Sequence, residues 1–289
     1  MSNYKIITDS SCDLTQQLAG QLELSVVPLA VNFRGQEYRN FPDHRELDVG
    51  LFYEGLRTGE RTSTTAANPT VWRSAAEPIL QNGEDVLILA FSSGLSTTYQ
   101  SAVIAATELR EKYPERKILV LDTLSASVGH GLMVWHAARL RDEGKDIDTV
   151  YAWLEEHIPN VCHWVTVNDL MHLKRGGRVS AATAVVGTML QIKPVLIVDN
   201  AGKLETVAKA RGRKAAIHML VEKLTETGIP GENDTVFLGH GDCPEEAEVM
   251  AQLLKEAGAK NVIVSHVGNV IGSPTGPDVL VIAFLGTAR

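Results

Sequence analysis

Hydroxyl side chains concentrate at two points in this chain, each just ahead of a stretch with helical periodicity. The first is Ser92-Ser93-Gly94-Leu95-Ser96-Thr97-Thr98, five hydroxyls in seven positions. The second is Thr62-Ser63-Thr64-Thr65, followed by Asn68-Pro69. A helix N-terminus offers unpaired N–H groups and the positive end of its dipole, and so attracts anions. One Ser or Thr is needed there as an N-cap in any case, but five exceed that need. The chemistry expected of this pattern is retention of a small anionic group by neutral donors. A rival chemistry is nucleophilic. Ala90-Phe91-Ser92-Ser93-Gly94 approaches the GxSxG elbow of serine hydrolases, with Ala90 at the first glycine. Ser92 or Ser93 would then need a histidine and an acid brought close by folding, with His240 and His266 as candidates.

The elements that must position these residues read as alternating strands and helices. Val86–Phe91 is an unbroken apolar run, the mark of a buried strand, and Tyr99, Val103, Ala106 and Leu109 share one face of the helix that follows. In open α/β sheets ligands bind beyond the carboxyl ends of the strands, where the hydroxyls lie. Strands are also expected at Lys5–Thr8, Val26–Phe33, Glu37–Arg39 and Lys117–Asp122, with helices over Leu14–Leu22, Leu47–Leu56, Thr70–Leu80, Leu124–Glu143 and Asp148–Ile158. The turn Asp9-Ser-Ser-Cys-Asp13 reads as a helix cap. Alternation of this kind predicts a mostly parallel sheet.

The second half reads differently. Val161–Val167 is a strand, 168–178 a polar, basic loop and Ala181–Leu190 a short apolar helix. Val195–Asp199 and Leu204–Lys209 form a hairpin. Helices over Arg213–Thr227 and Pro244–Gly258 alternate with strands Thr235–Gly239, Asn261–His266 and Val279–Leu285, and Gly268–Pro277 reads as a loop. The expected fold class is α/β with two α/β domains, residues 1–160 with a mostly parallel sheet and 161–289 with a mixed one, and a ligand cleft between them.

Composition narrows the function. With 289 residues, 44% of them hydrophobic, the chain can build full cores. A net charge of −8 argues against nucleic acid and anionic membrane surfaces as partners. Three widely spaced cysteines and no CxxC pair fit a reducing, cytoplasmic setting. The N-terminus shows no signal-peptide pattern, and no run reaches the ~18 apolar residues of a membrane span. No phosphate-binding glycine loop and no His or Cys pair with zinc spacing occurs, so neither a metal nor a nucleotide cofactor is expected.

Several stretches together resemble the DegV family: Ile7-Thr-Asp-Ser-Ser-Cys-Asp-Leu14, Val27-Pro-Leu29, Ser92-Ser-Gly-Leu-Ser96, Leu173-Lys-Arg-Gly-Gly-Arg-Val-Ser180, Ile192-Lys-Pro194 and Ile271-Gly-Ser-Pro-Thr-Gly-Pro277. The resemblance implies one long-chain fatty acid held between two α/β domains by a carrier that is not an enzyme alone. A separate ATP-binding fatty acid kinase subunit would phosphorylate that acid. It also implies Thr64 and Ser96 as carboxylate ligands, with Thr65 and Ser93 as the adjoining hydroxyls. Arg178 and Arg211 become the arginines related to phosphate and partner, and no catalytic residue is expected in this chain. One departure concerns phosphotransfer. Pro274 stands where the family usually has a histidine, and Asp278 where it has a glycine, which would remove a donor and add a negative charge.

Overall fold

The computed structural model describes residues 4–168, 170–180 and 191–289. Its elements form three sheets among the described residues. The first sheet takes strands β1 (Tyr4–Asp9), β2 (Ser25–Val27), β6 (Asp85–Ala90) and β7 (Ile118–Asp122), in the order β2-β1-β6-β7, all parallel. Val86 to Ala90 are all buried, as a strand covered on both faces by helices requires. The second sheet is a small antiparallel one, β4 (Gln36–Arg39), β3 (Ala30–Phe33) and β5 (Thr62–Thr65).

The third sheet is mixed and has six strands: β8 (Val161–Thr166), β9 (Ile192–Val198), β10 (Leu204–Arg211), β11 (Thr235–His240), β12 (Asn261–His266) and β13 (Leu280–Leu285). Their order is β10-β9-β8-β13-β11-β12, and β11–β12 is its parallel pair. The α/β class, with one parallel and one mixed sheet, is therefore as the sequence indicates.

The helices are α1 (Gln16–Gln21), α2 (Val49–Arg57), α3 (Pro69–Gln81), α4 (Thr98–Lys112), α5 (Ser127–Asp142), α6 (Ile147–His157), α7 (Met171–Arg175), α8 (Arg213–Thr227), α9 (Pro244–Glu256) and α10 (Asn269–Thr275). Asn68 caps α3 by accepting from the Val71 N–H at 3.1 Å, with Pro69 just inside, where its missing N–H costs nothing. Buried residues from Ser127 to Val134 surround the first half of α5, which packs on β8, β11 and β13 as well as on β1. This helix joins the parallel sheet to the mixed one.

Four local expectations need correction, the first being that 168–178, expected as a loop, contains helix α7. Val26–Phe33 is two strands in two sheets, because Pro28 has no N–H to continue the ladder. Thr62–Thr65 is a strand rather than a loop, paired to β3 in the register Val31↔Thr64. Gly268–Pro277 contains helix α10: burial of Val270 and Ile271 outweighs the weak helix propensity of its glycine and proline. Gly272 is required there, since a Cβ would lie 2.5 Å from the Tyr53 hydroxyl oxygen. The helix expected over 181–190 lies outside the described residues.

Candidate functional site

One cavity of about 410 Å³ lies where β5, the loop after β6, the mixed sheet and α10 converge. Most of its wall is apolar, including Leu29, Phe91, Val165, Val198, Val270, Ile271 and Val281. Thr64, Ser93, Ser96, Thr97 and Arg178 supply polar surface, and no carboxylate among the described residues lines it. The volume falls within the ~300–1,000 Å³ typical of small-molecule sites.

Thr64 reaches the wall through strand alternation. Thr62 and Thr64 are half-buried on one face of β5, while Ser63 and Thr65 are exposed on the other. Thr62 Oγ1 meets Ser273 Oγ at 2.7 Å, which docks β5 against α10. Thr65 donates instead to Glu37 Oε2 at 3.0 Å and does not line the cavity. Two hydroxyls adjacent in sequence thus face opposite ways.

The turn after β6 is held by carboxylates from neighbouring strand ends. Asp9 accepts from the Phe91 N–H at 2.8 Å, and Asp122 accepts from the Ser93 and Leu124 N–H groups, each at 3.1 Å. These aspartates sit at the carboxyl ends of β1 and β7, so the parallel sheet itself fixes the loop. Ser96 Oγ accepts from the Thr98 N–H at 3.2 Å and is hydrogen-bonded to Thr98 Oγ1 at 2.8 Å, with either hydroxyl able to donate. Ser96, one residue ahead of the N-cap Thr97, thereby takes the first N–H of α4 and sits at that helix's positive end.

Ser92 is buried, and its hydroxyl donates to the Gly202 carbonyl at 2.7 Å while accepting from the Gly94 N–H at 3.1 Å. It fastens the β9–β10 hairpin over the loop. Gly94 is needed for the same approach, because a Cβ there would lie 2.5 Å from the Ala201 carbonyl oxygen. His163, on β8, is the histidine that reaches the cavity wall. Its Nδ1 lies 3.1 Å from the Val161 carbonyl, and its Nε2 accepts from the Ala126 N–H at 3.3 Å. These partners fix a neutral tautomer, and burial pushes the imidazole down to about 3. With both nitrogens engaged, His163 has no lone pair to offer a serine. His240 and His266 meet in a tilted contact, ring centroids 4.4 Å apart with 49° between the planes, and neither lines the cavity.

Ser127 and Asp13 form the bracing at another wall. Ser127 lines the cavity and donates to Asp13 Oδ2 at 2.6 Å, and Asp13 Oδ1 accepts from the Gly268 N–H at 3.0 Å. A single buried carboxyl thus ties the start of α5 to the start of α10. Sequence reasoning passed over His163 and Ser127. No alternation could have marked the first, because β8 is buried at every position except Trp164; nothing local marks the second.

The arginines separate. Arg178 stands at the wall of the cavity and donates to the Gly176 carbonyl. Arg211 is exposed at the end of β10 opposite Leu204, the residue of that strand that lines the cavity. Seven strand steps at ~3.3 Å each put roughly 23 Å between them. Asp278 does not line the cavity either: its carboxylate is taken by Arg57 Nη2 at 2.8 Å and Asn168 Nδ2 at 2.5 Å. The negative charge expected beside the site is neutralised elsewhere.

Among the described residues no group of three His, Cys, Asp or Glu is placed to hold a metal ion, and no helix is long and apolar enough to cross a membrane. The arrangement can hold an elongated apolar molecule with one anionic end.

Comparison with known proteins places the chain. A DegV domain-containing protein of Clostridium perfringens is 41% identical over 290 residues, covering 100% of this chain and 99% of the relative. The structure of a DegV family protein from Thermus thermophilus, described by its fatty acid binding, is 32% identical with a TM-score of 0.86, covering 98% of this chain and 99% of that one. DegV from Bacillus subtilis, described as a fatty acid binding protein, is 28% identical with a TM-score of 0.83, covering 99% and 100%. The family model described as "Uncharacterised protein, DegV family" matches residues 3–287, and with that match over nearly its whole length the chain belongs to the DegV family.

Proposed function

We propose that this protein is a carrier that binds one long-chain fatty acid in the cavity. The acyl chain lies against the apolar wall, and the carboxylate is held by Thr64 and Ser96, with Ser93 beside them. The carrying observation is a cavity whose wall is mostly apolar and whose hydroxyls come from strand β5 and from the loop after β6. Neutral donors suit a monoanion: they satisfy its oxygens without burying an opposing charge. Two solved relatives above 25% identity are described by the same ligand class, which supports the reading.

In this reading the chain has two domains, 1–160 and 161–289, which meet at the cavity. The protein works in the cytoplasm and performs no catalysis by itself. It presents the acid to a separate ATP-binding kinase subunit, with Arg178 at the point of transfer. Native mass spectrometry of protein purified without added lipid tests the binding. A co-purified mass equal to a long-chain fatty acid is the expected result. Absence of any such mass, together with turnover of a simple ester, would replace the carrier by the hydrolase. A second test mixes fatty-acid-loaded protein with its own organism's kinase subunit and ATP, and acyl phosphate is the expected product.

A further inference from the structure

A small hollow of about 110 Å³ shares no lining residue with the cavity. All three sheets contribute to it: Asp13 from the turn after β1, Asn40 from the end of β4 and Ser265 from β12, with Phe41, His44 and His266 beside them. Its polar groups are incompletely used. Asn40 is 3% exposed and Ser265 6%, yet Asn40 Oδ1 and Ser265 Oγ have no hydrogen-bond partner among the described residues, nor has His44 Nδ1. The Asn40 amide is oriented by its other end: Nδ2 donates to the Ser10 carbonyl at 3.3 Å, which leaves Oδ1 as the unused atom.

Asp13 adds a charge to the same wall. It is 7% exposed, and its carboxylate accepts from the Ser127 hydroxyl and the Gly268 N–H. Among the described residues no Lys or Arg pairs with it. His44 does not supply the missing positive charge, because burial and the neighbouring His266 hold its imidazole below the ordinary range. A Cβ on Gly268 would lie 2.9 Å from Asp13 Oδ1 and 3.4 Å from Asn40 Oδ1, so both oxygens border one point.

A buried carboxylate needs a compensating charge, and buried amide and hydroxyl oxygens need a partner. A cation meets both needs at once. One carboxylate among neutral oxygens matches a single positive charge. Calcium takes six to eight oxygens and magnesium a strict octahedron, and among the described residues no group of three His, Cys, Asp or Glu is placed for such an ion.

We propose that this hollow is a binding site for one alkali metal ion, held by Asp13, Asn40 Oδ1 and Ser265 Oγ where the three sheets meet. Asp13 also holds Ser127 and Gly268, so the ion fastens the starts of α5 and α10 to the end of the small sheet. The site is independent of what occupies the cavity.

Thermal unfolding of the full chain at pH 8, where an ordinary imidazole is neutral, tests it. Melting is followed in choline chloride and, at equal ionic strength, in sodium, potassium, ammonium and calcium chloride. The methylated nitrogen of choline cannot sit against these oxygens, so there Asp13 stays unpaired. The expected result is a saturable rise of at least about 3 °C over choline in sodium or potassium. The rise should be halved or less in Ser265→Ala and absent in Asp13→Asn. No rise with either alkali ion, or an equal rise in Asp13→Asn, overturns the site. A larger rise with calcium, or a rise with ammonium alone, overturns the alkali assignment. Equilibrium dialysis of wild-type protein against radioactive sodium and rubidium, the latter standing in for potassium, needs no variant. Retention of one ion per chain is expected with at least one of them, and retention of neither means that the hollow holds only water and the proposal is wrong.

Discussion

The Thr98 and Ser96 hydroxyls are hydrogen-bonded at 2.8 Å, with either able to donate, and the Thr98 N–H reaches the same Ser96 oxygen at 3.2 Å. Thr98 is fully buried and Ser96 faces the cavity. When Thr98 donates, Ser96 is free to turn its own proton toward an anion. Ser96→Ala is therefore expected to weaken fatty acid binding by about 1.5–3 kcal/mol, the range for a hydrogen bond to a charged group. Thr98→Val, which removes only the supporting donor, should cost less, about 0.5–1.5 kcal/mol. Titration with a fluorescent fatty acid measures both; equal affinity in wild type and Thr98→Val would show that Ser96 needs no such support.

Thr64→Ala is expected to weaken binding as much as Ser96→Ala, because both side chains line the same cavity. Thr65→Ala should leave affinity unchanged, since that side chain is turned away toward Glu37. A larger loss at Thr65 than at Thr64 would mean that the ligand lies on the other face of β5.

That pair of threonines shows how far the sequence was legible. The density of hydroxyls ahead of two helices marked both segments, and the alternation of apolar strands with helices marked the parallel sheet. The face of each hydroxyl was not legible, because it depends on β5 pairing with β3, and the threonine-rich run shows no apolar alternation to reveal a strand. Arg211 fails to reach the cavity for a related reason: its distance from Leu204 follows from the strand's length, which turn residues alone leave open. Helix α10 was hidden by its glycine and proline, whose use there is close packing against Tyr53 and α7. Asp13 read as a helix-capping residue; its contact with Gly268 spans the whole chain and has no local trace.

Asp13 carries a pH prediction. Burial pushes its carboxyl up to about 7, only partly opposed by the Ser127 hydroxyl and the Gly268 N–H. An acid whose folded pKa exceeds its unfolded one, ~3.9 in model peptides, binds protons more tightly when folded. Its penalty is absent below about pH 4, grows as pH rises, and is complete above about 7. Asp13→Asn keeps an acceptor for Gly268 and cannot ionise. Its melting temperature relative to wild type should rise between about pH 4 and pH 7 and level off above that. A difference that does not change with pH would show that Asp13 does not titrate there.

Asp278 joins strain to an ionic contact. It has φ 61, a left-handed conformation that costs an L-residue of its kind about 1 kcal/mol. In return its carboxylate holds Arg57 and Asn168. The Arg57 and Asp278 side chains are 38% and 32% exposed, so the pair is screened by solvent and salt and contributes at most about 1 kcal/mol. Asp278→Ala loses the contacts and keeps the strain, whereas Asp278→Gly loses both. Urea denaturation should find the glycine variant more stable than the alanine variant by about 1 kcal/mol. The reverse order would mean that the backbone there is not strained.

Arg178 and Arg211 are separated most sharply by presentation to a kinase subunit. Arg178 lines the cavity, while Arg211 stands at the far end of β10. A cationic donor placed where phosphoryl charge develops contributes more to transfer than to ground-state binding, and removing one such donor typically costs about 10²–10³ in rate. Arg178→Ala should therefore lower the rate of acyl phosphate formation by about 10², with fatty acid affinity changed less than threefold. Arg178→Lys should recover only part of it, because an ammonium cannot reproduce the bidentate fork. Arg211→Ala should transfer at the wild-type rate if the partner docks at the cavity mouth alone. The rate is measured with saturating kinase subunit and ATP, so that a docking defect is not mistaken for a transfer defect. Equal losses of binding and transfer in Arg178→Ala would make that arginine a structural support of the 173–180 segment, and a rate loss confined to Arg211→Ala would move the partner's contact to the β10 edge.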